Sequence, residues 1–436
     1  MKRVLIANRG EIALRVHRAC KQLGLETVAA YTKVDHQLLH LRLADHQICI
    51  GEESYLDGRQ LISAALVTGC DAIHPGYGFL SENAEFVLSV ESAGLIFVGP
   101  AASHIALMGD KVVARRTMAK AGLPTLPGSE TAISDEKELL AVAQKIGFPV
   151  MLKAAYGGGG MGIQLAKDQT SLEGVFASLV MQSENLFGKS DIYLEKYVVD
   201  ARHIEIQVFG DGEGAVVYFG ARECSIQRRR QKLLEETPPH GIPQNVIDEL
   251  AQKCCDVLGQ MQYASAGTLE FLYADSQFFF IEMNTRIQVE HPVTESVFGV
   301  DLVKLQLHLA AGNKVPRSQA TIASYGHAIE CRINAEDQNF VPSPGTISRL
   351  HLPGGAGVRI DSHLYEGYKV PYQYDSLVAK LITIGAERSE AVSRMANALD
   401  EVEVRGISTN VDLLKKILAD ESFVVGQYTT SLLDTY

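Results

Sequence analysis

The sequence predicts a multidomain protein, α/β and α+β, and three observations carry that reading. Residues 1–112 alternate short apolar runs with helical patterns, the signature of a doubly wound parallel sheet. A glycine run, Gly157-Gly158-Gly159-Gly160, then marks a change to antiparallel alternation, and the last part of the chain mixes short strands with helices. At 436 residues the chain also exceeds what one hydrophobic core supports, so two to four subdomains are expected.

Taken in order, strands are expected at 4–7, 27–31, 48–50, 71–74 and 96–99, with helices between them, for example at 12–23 and 61–68. Pro124 and Pro127-Gly128 interrupt this pattern. A helix over 136–146 and a strand over 149–155 lead into the glycine run. Alternating segments at 192–195, 204–208 and 215–219 read as antiparallel strands, followed by a helix over 246–260. A strand over 267–273 and a return strand from 278 flank the turn Ala274-Asp275-Ser276-Gln277. A helix over 301–311, a polar linker over 313–324 and helices near 389–401 and 411–420 complete the chain.

Composition excludes some function classes. Forty Lys and Arg against 52 Asp and Glu give a net charge of −12, which argues against nucleic acid or an anionic membrane as the main partner. No apolar run approaches the roughly 20 residues that span a bilayer. The start, Met1-Lys2-Arg3, resembles a signal n-region but breaks at Asn8-Arg9-Gly10-Glu11. The seven cysteines are scattered without a C-x-x-C pair, as expected of reduced thiols in a cytoplasmic protein.

From Glu282 to Glu290 every second residue is polar: Glu282, Asn284, Arg286, Gln288, Glu290. A strand would set these groups along one face. An ordinary half-exposed strand explains alternation too, but here the wet face mixes acids, amides and one Arg. If the hairpin folds about Ser276, Glu270 sits opposite Glu282. Two carboxylates beside an amide oxygen suit hard, oxygen-preferring Mg²⁺. The glycine run lets backbone N–H groups approach phosphate, and Lys153 on the entering strand strengthens that reading. It is neither a Walker loop nor a dinucleotide fingerprint, because no Gly-Lys-Ser/Thr follows and no helix opens there. Gln227-Arg228-Arg229-Arg230-Gln231-Lys232 is a basic cluster in an acidic chain, where a solvated charge run is the bland alternative.

Several long motifs coincide with one known family: Asn8–Ala13 (NRGEIA), HPGYGFLSEN at 74–83, Met108-Gly109-Asp110-Lys111, the glycine run, Ser225–Arg229 (SIQRR), EMNTRIQVEHPVTE at 282–295 and ECRINAE at 330–336. The chain resembles the biotin carboxylase subunit of biotin-dependent carboxylases, an ATP-grasp enzyme, over essentially its whole length. The resemblance implies an N-terminal domain at 1–112, an ATP-grasp domain at 113–312 with a mobile glycine-loop lid at about 130–203, and a C-terminal domain at 325–436. It implies ATP-dependent carboxylation of biotin by bicarbonate through carboxyphosphate, with two Mg²⁺ or Mn²⁺ ions. Biotin would be carried on a separate carrier protein and the transferase would be a separate chain, expected from the absence of both here. Acetyl-CoA, in fatty acid biosynthesis, is the expected acceptor. Another acyl-CoA, pyruvate or urea system, or a different ATP-grasp ligase joining a carboxylate to an amine, is the alternative.

Residue by residue, the resemblance assigns ATP to Lys111, Lys153, Gly157, Gly158, Gly159, Gly160, Glu195, Lys196, Val198, His203, Gln227 and the position of Arg230. It assigns metal to Glu270, Glu282 and Asn284. The bicarbonate pocket falls to Lys232, Arg286, Gln288 and Val289, the general base to Glu290, the biotin enolate to Arg332, and the biotin pocket to Tyr77. Arg230, Tyr156 and Met161 depart from the family pattern around the nucleotide. Gln22 and Ala356 depart from it at the dimer contact, so a weaker homodimer is expected.

Overall fold

The computed structural model describes residues 1–436 except 53, 134, 155–161, 189–190 and 316–317. Near the N-terminus, strands Arg3–Ile6, Glu26–Tyr31, His46–Cys49, Ala72–His74 and Ile96–Phe97 form a five-stranded parallel sheet with Arg3–Ile6 at its centre. Val4, Leu5 and Ile6 are buried, as a strand covered by helices on both faces requires. Helix Gly10–Gln22 buries Ile12, Ala13, Val16 and Ala19, one face of a 3.6-residue period, against that sheet and the segment after Val300.

A three-stranded antiparallel sheet, Ile163–Ala166, Val150–Ala154 and Ile192–Lys196, packs on helices Glu136–Ile146 and Gln169–Phe187 around a separate small core. Helix Gln169–Phe187 is absent from the sequence expectation. Its signals were present: Asp168 and Ser171 form a capping box, and Leu172, Phe176 and Leu179 repeat at helical spacing.

The largest element is an eight-stranded antiparallel sheet. Its order is Gln277–Asn284, Ala264–Ala274, Arg202–Asp211, Val216–Arg228, Gln231–Thr237, His327–Asn334, Leu377–Gly385 and Val358–Ser362. One continuous sheet therefore runs from the hairpin of Glu270 and Glu282 into the C-terminal part of the chain, through the pairing of Leu234 with Cys331 and Glu235 with Glu330. Helices Gln244–Gln260 and Arg388–Glu401 cover it.

Two details correct the sequence reading. The hairpin turns at Asp275-Ser276, both at positive φ (49° and 59°), the twist that suits a two-residue hairpin. That turn alone would set Glu270 against Ile281. A bulge shifts the register between Phe271 and Glu270, and Glu282 becomes the partner of Glu270. The strand also ends at Asn284, so the alternation over Arg286, Gln288 and Glu290 belongs to an irregular turn that enters helix His291–Phe298. Pro292, with no N–H to donate, suits the first turn of that helix and cannot serve a continuing ladder.

Candidate active site

The sheet places a row of buried charges on one surface by register alone. Glu282 pairs with Glu270, Glu270 with Glu205, and Glu205 with Arg222, each on the next strand. Farther along, Glu235 pairs with Glu330, and Arg332 with Lys380. Burying so many charges is tolerable only where they are paired.

Most of them are: Lys111 meets Glu282, Glu11 meets Lys380, and two cations hold the rest, while Glu330, without a hydrogen-bond partner on either oxygen among the described residues, is pushed well up by burial. Lys232 Nζ donates to Glu290 Oε1 at 2.7 Å and Glu270 Oε1 at 3.1 Å, and it also meets Glu205. Arg332 donates to Glu290 Oε2 at 2.9 Å and to Glu235 at 2.6 Å. Both oxygens of Glu290 are thus engaged by cations. Burial alone would raise the Glu290 carboxyl, but Lys232, Arg332 and Arg222 outweigh it and hold the group well below the usual carboxylate range. Glu205 shows the opposite balance, because burial wins over Lys232 and pushes it to about 7. Arg222, fully buried, donates to Glu205, Gln207, Thr294 and Thr268 and so locks three strands and the helix beneath the site.

The irregular turn after Asn284 folds its side chains back onto this cluster. Gln288 Nε2 donates to Glu270 Oε1 at 3.0 Å, and Arg286 donates to Gln288 Oε1 and Asn284 Oδ1, each at 3.1 Å. Glu82, from the N-terminal part, accepts from Arg286 Nε at 2.8 Å and from the Thr285 N–H.

The residues expected to hold metal offer oxygen donors suited to a divalent cation. Glu270 and Glu282 are cross-strand neighbours, and Glu270 raises the proton affinity of Glu282, so a divalent cation held by the two would relieve a repulsion already present. Their charge is now compensated by Lys111, 2.9 Å from Glu282, and by His203, 2.9 Å from Glu270. Lys111 first, against the effect of burial, holds Glu282 below its ordinary range. Asn284 turns its amide nitrogen toward Glu270 at 2.7 Å and its oxygen toward Arg286, so ligation through Oδ1 requires its side chain to rotate. His203 itself is held raised despite burial by Glu270.

Other sequence-derived residues fall as follows. Lys153 bonds Glu195 at 2.5 Å in the small sheet, and Lys196 donates to the Gly147 and Phe148 carbonyls at 2.9 Å. Val198 follows that strand in irregular backbone. Gln227 pairs with Lys232 across the hairpin. Arg229 and Arg230 form the turn of that hairpin at positive φ (49° and 66°). From it Arg230 reaches the small sheet, donating to the Ile163 carbonyl at 3.2 Å. Tyr77 donates to Glu11 rather than facing open space. Gly157, Gly158, Gly159, Gly160, Tyr156 and Met161 lie outside the described residues. Gln22 and Ala356 are both exposed. Sequence reasoning missed Glu11, Glu82, Glu205, Arg222, Glu235 and Lys380. Of these, Glu82 and Glu11 lie inside motifs already singled out, whereas the others carry no local signal.

Comparison with known proteins places this geometry. Family models match residues 1–105 (biotin carboxylase, N-terminal domain), 110–318 (carbamoyl-phosphate synthase L chain, ATP-binding domain) and 330–435 (biotin carboxylase C-terminal domain). A biotin carboxylase of Pseudomonas aeruginosa is 51% identical over 432 residues, covering 98% of this chain and 96% of the relative. The structure of a Campylobacter jejuni biotin carboxylase in a beta-gamma-ATP complex superposes with a TM-score of 0.98 at 42% identity, over 100% of this chain and 99% of that one. The biotin carboxylase domain dimer of Hydrogenobacter thermophilus 2-oxoglutarate carboxylase, in complex with MgADP, ADP and bicarbonate, gives 0.97 at 43% identity, over 100% and 97%. With full-length identity near one half and all three parts of the chain matched, the chain belongs to the biotin carboxylase family of ATP-dependent ligases.

Proposed function

We propose that this protein carboxylates biotin, presented on a separate carrier protein, using bicarbonate and ATP, as the first half-reaction of an acetyl-CoA carboxylase in the cytoplasm. The observation that carries the reaction is the convergence of Lys232 and Arg332 on Glu290, beside the Glu270–Glu282 pair.

Lys111 and Lys153, now neutralising Glu282 and Glu195, turn toward the phosphates of ATP with the glycine loop of the lid at about 130–203. Glu195, Lys196, Val198, His203 and Gln227 take the rest of the nucleotide. Divalent ions on Glu270, Glu282 and a rotated Asn284 would neutralise charge on the transferred phosphoryl group. Arg286, already gripping Glu82 and Gln288, offers its planar fork to bicarbonate, with Lys232, Gln288 and the Val289 backbone around it. Glu290 accepts the bicarbonate proton. The freed oxygen attacks the γ-phosphorus, ADP leaves, and carboxyphosphate breaks down to CO₂ and phosphate. An anion arriving beside Glu290 would raise the proton affinity that Lys232 and Arg332 now suppress. The released phosphate takes the N1′ proton of biotin, Arg332 stabilises the resulting enolate, and N1′ attacks CO₂, near Tyr77.

A homodimer weaker than that of close relatives fits the exposed Gln22 and Ala356. The test is transfer of label from radiolabelled bicarbonate to free biotin, then to acetyl-CoA once the carrier and transferase chains are added. Label on biotin that moves to pyruvate or 2-oxoglutarate instead would correct the acceptor alone.

A further inference from the structure

Leaving the sheet at Asn284 costs the following residues their ladder partners, yet buried backbone carbonyls must be satisfied somewhere. Three of them find side chains, the first being Ile287, whose carbonyl accepts from Arg286 at 3.2 Å. His291 Nδ1 lies 2.7 Å from the Gln288 carbonyl, and the next carbonyl, Val289, accepts from Lys380 Nζ at 2.8 Å. Lys380 is a fully buried lysine on strand Leu377–Gly385, and its ammonium also meets Glu11 Oε1 at 3.0 Å. Glu11, on helix Gly10–Gln22, in turn accepts from the Tyr77 hydroxyl. The chain Tyr77–Glu11–Lys380–Val289 thus ties the N-terminal part, the C-terminal strands and the active-site turn together at one point. Glu330 and Asp361 are the remaining acids facing Lys380.

Pinning consecutive carbonyls has a geometric consequence. In a planar trans peptide the N–H points opposite to the C=O. Holding the Gln288 carbonyl on the His291 side therefore aims the Val289 N–H the other way, and holding the Val289 carbonyl orients the peptide that carries Glu290. We propose that Lys380, backed by Glu11, is a positioning residue: by holding the Val289 carbonyl it fixes the peptide that carries Glu290, so that the base meets the anion beside the Val289 N–H, whose own peptide is held at the Gln288 carbonyl. This rests on the function proposed above for the turn.

The test compares wild type, Lys380→Met and the double variant Lys380→Met/Glu11→Gln, which removes both buried charges while leaving Tyr77 an acceptor. Three quantities are read: melting temperature, KM for bicarbonate against KM for MgATP, and amide exchange over 286–291 without ligands. Lys380→Met is expected to lower the melting temperature and to raise the bicarbonate KM on the order of 10²-fold, the usual scale of a small misplacement. The MgATP KM should move by less than about threefold. The double variant should recover most of the melting temperature but neither the bicarbonate KM nor the slow exchange, because Met cannot donate to Val289. A bicarbonate KM that recovers together with stability would make the pair structural only and overturn the proposal, as would unchanged exchange in the double variant. If wild type shows no bicarbonate dependence, the functional reading falls, while the exchange comparison still decides whether Lys380 holds the turn.

Discussion

Glu290→Gln changes one oxygen to an NH₂ group at the point where two buried cations meet. Lys232 (2.7 Å) and Arg332 (2.9 Å) both lose a carboxylate, but Lys232 keeps Glu205 and Glu270, and Arg332 keeps Glu235. Breaking a buried pair outright costs about 3–5 kcal/mol. With those acids still in place, the loss of stability is expected at or below the lower end, about 1–3 kcal/mol. The kinetic loss should be larger. Removing a general base costs about 10²–10⁴-fold, equivalent to about 3–5 kcal/mol of barrier. The proposed nucleotide site uses Lys111, Lys153 and the Glu270–Glu282 pair, so calorimetric MgATP affinity should change little. Chemical unfolding, calorimetry and bicarbonate-dependent ADP release on the same preparation separate the three effects. Turnover within tenfold of wild type at saturating bicarbonate would refute Glu290 as the base.

Glu282→Gln should fail differently: Lys111 loses its partner and the metal pair loses a charge, so the Mg²⁺ concentration needed for half-maximal activity should rise; full activity at wild-type Mg²⁺ would contradict the metal role. Phe271→Ala, at a fully buried ring in edge contact with Phe278 and Phe280 beside Glu270, should cost about 3–5 kcal/mol in denaturant unfolding. Glu236, buried and raised by burial but lowered further by His327 and then Arg388, sits at about 2 instead of 4.5. A depressed acid stabilises above its unfolded pKa, so about 3 kcal/mol should be lost as pH falls from about 4.5 toward 2. Glu236→Gln should flatten that part of the pH–stability curve, and an unchanged slope would reject the assignment.

How much of this was legible beforehand varies with the physics of each contact. The parallel strands near the N-terminus were readable because β-branched runs recur between amphipathic helices. The Glu270–Glu282 pair was readable because a hairpin keeps its partners close in sequence. Its register was right through a bulge at Ile281 that no local pattern announces. The alternation through Arg286, Gln288 and Glu290 misled, since a turn whose side chains fold back on one cluster can mimic a period of two. The roles given to Lys232, Glu290 and Arg332 came from motif resemblance, because the residues that meet there lie 42 and 58 positions apart. Lys380, 91 residues from Val289 and far from Glu11, was invisible for the same reason, as an isolated Lys in an apolar strand carries no mark of its partner.

The central claim is that one cluster joins metal, nucleotide and bicarbonate chemistry, and the most direct measurement is ADP release by the purified protein with free biotin present. Release is expected to require Mg²⁺, to collapse when bicarbonate is removed, and to rise with biotin concentration. A rate unchanged by removing bicarbonate would contradict it.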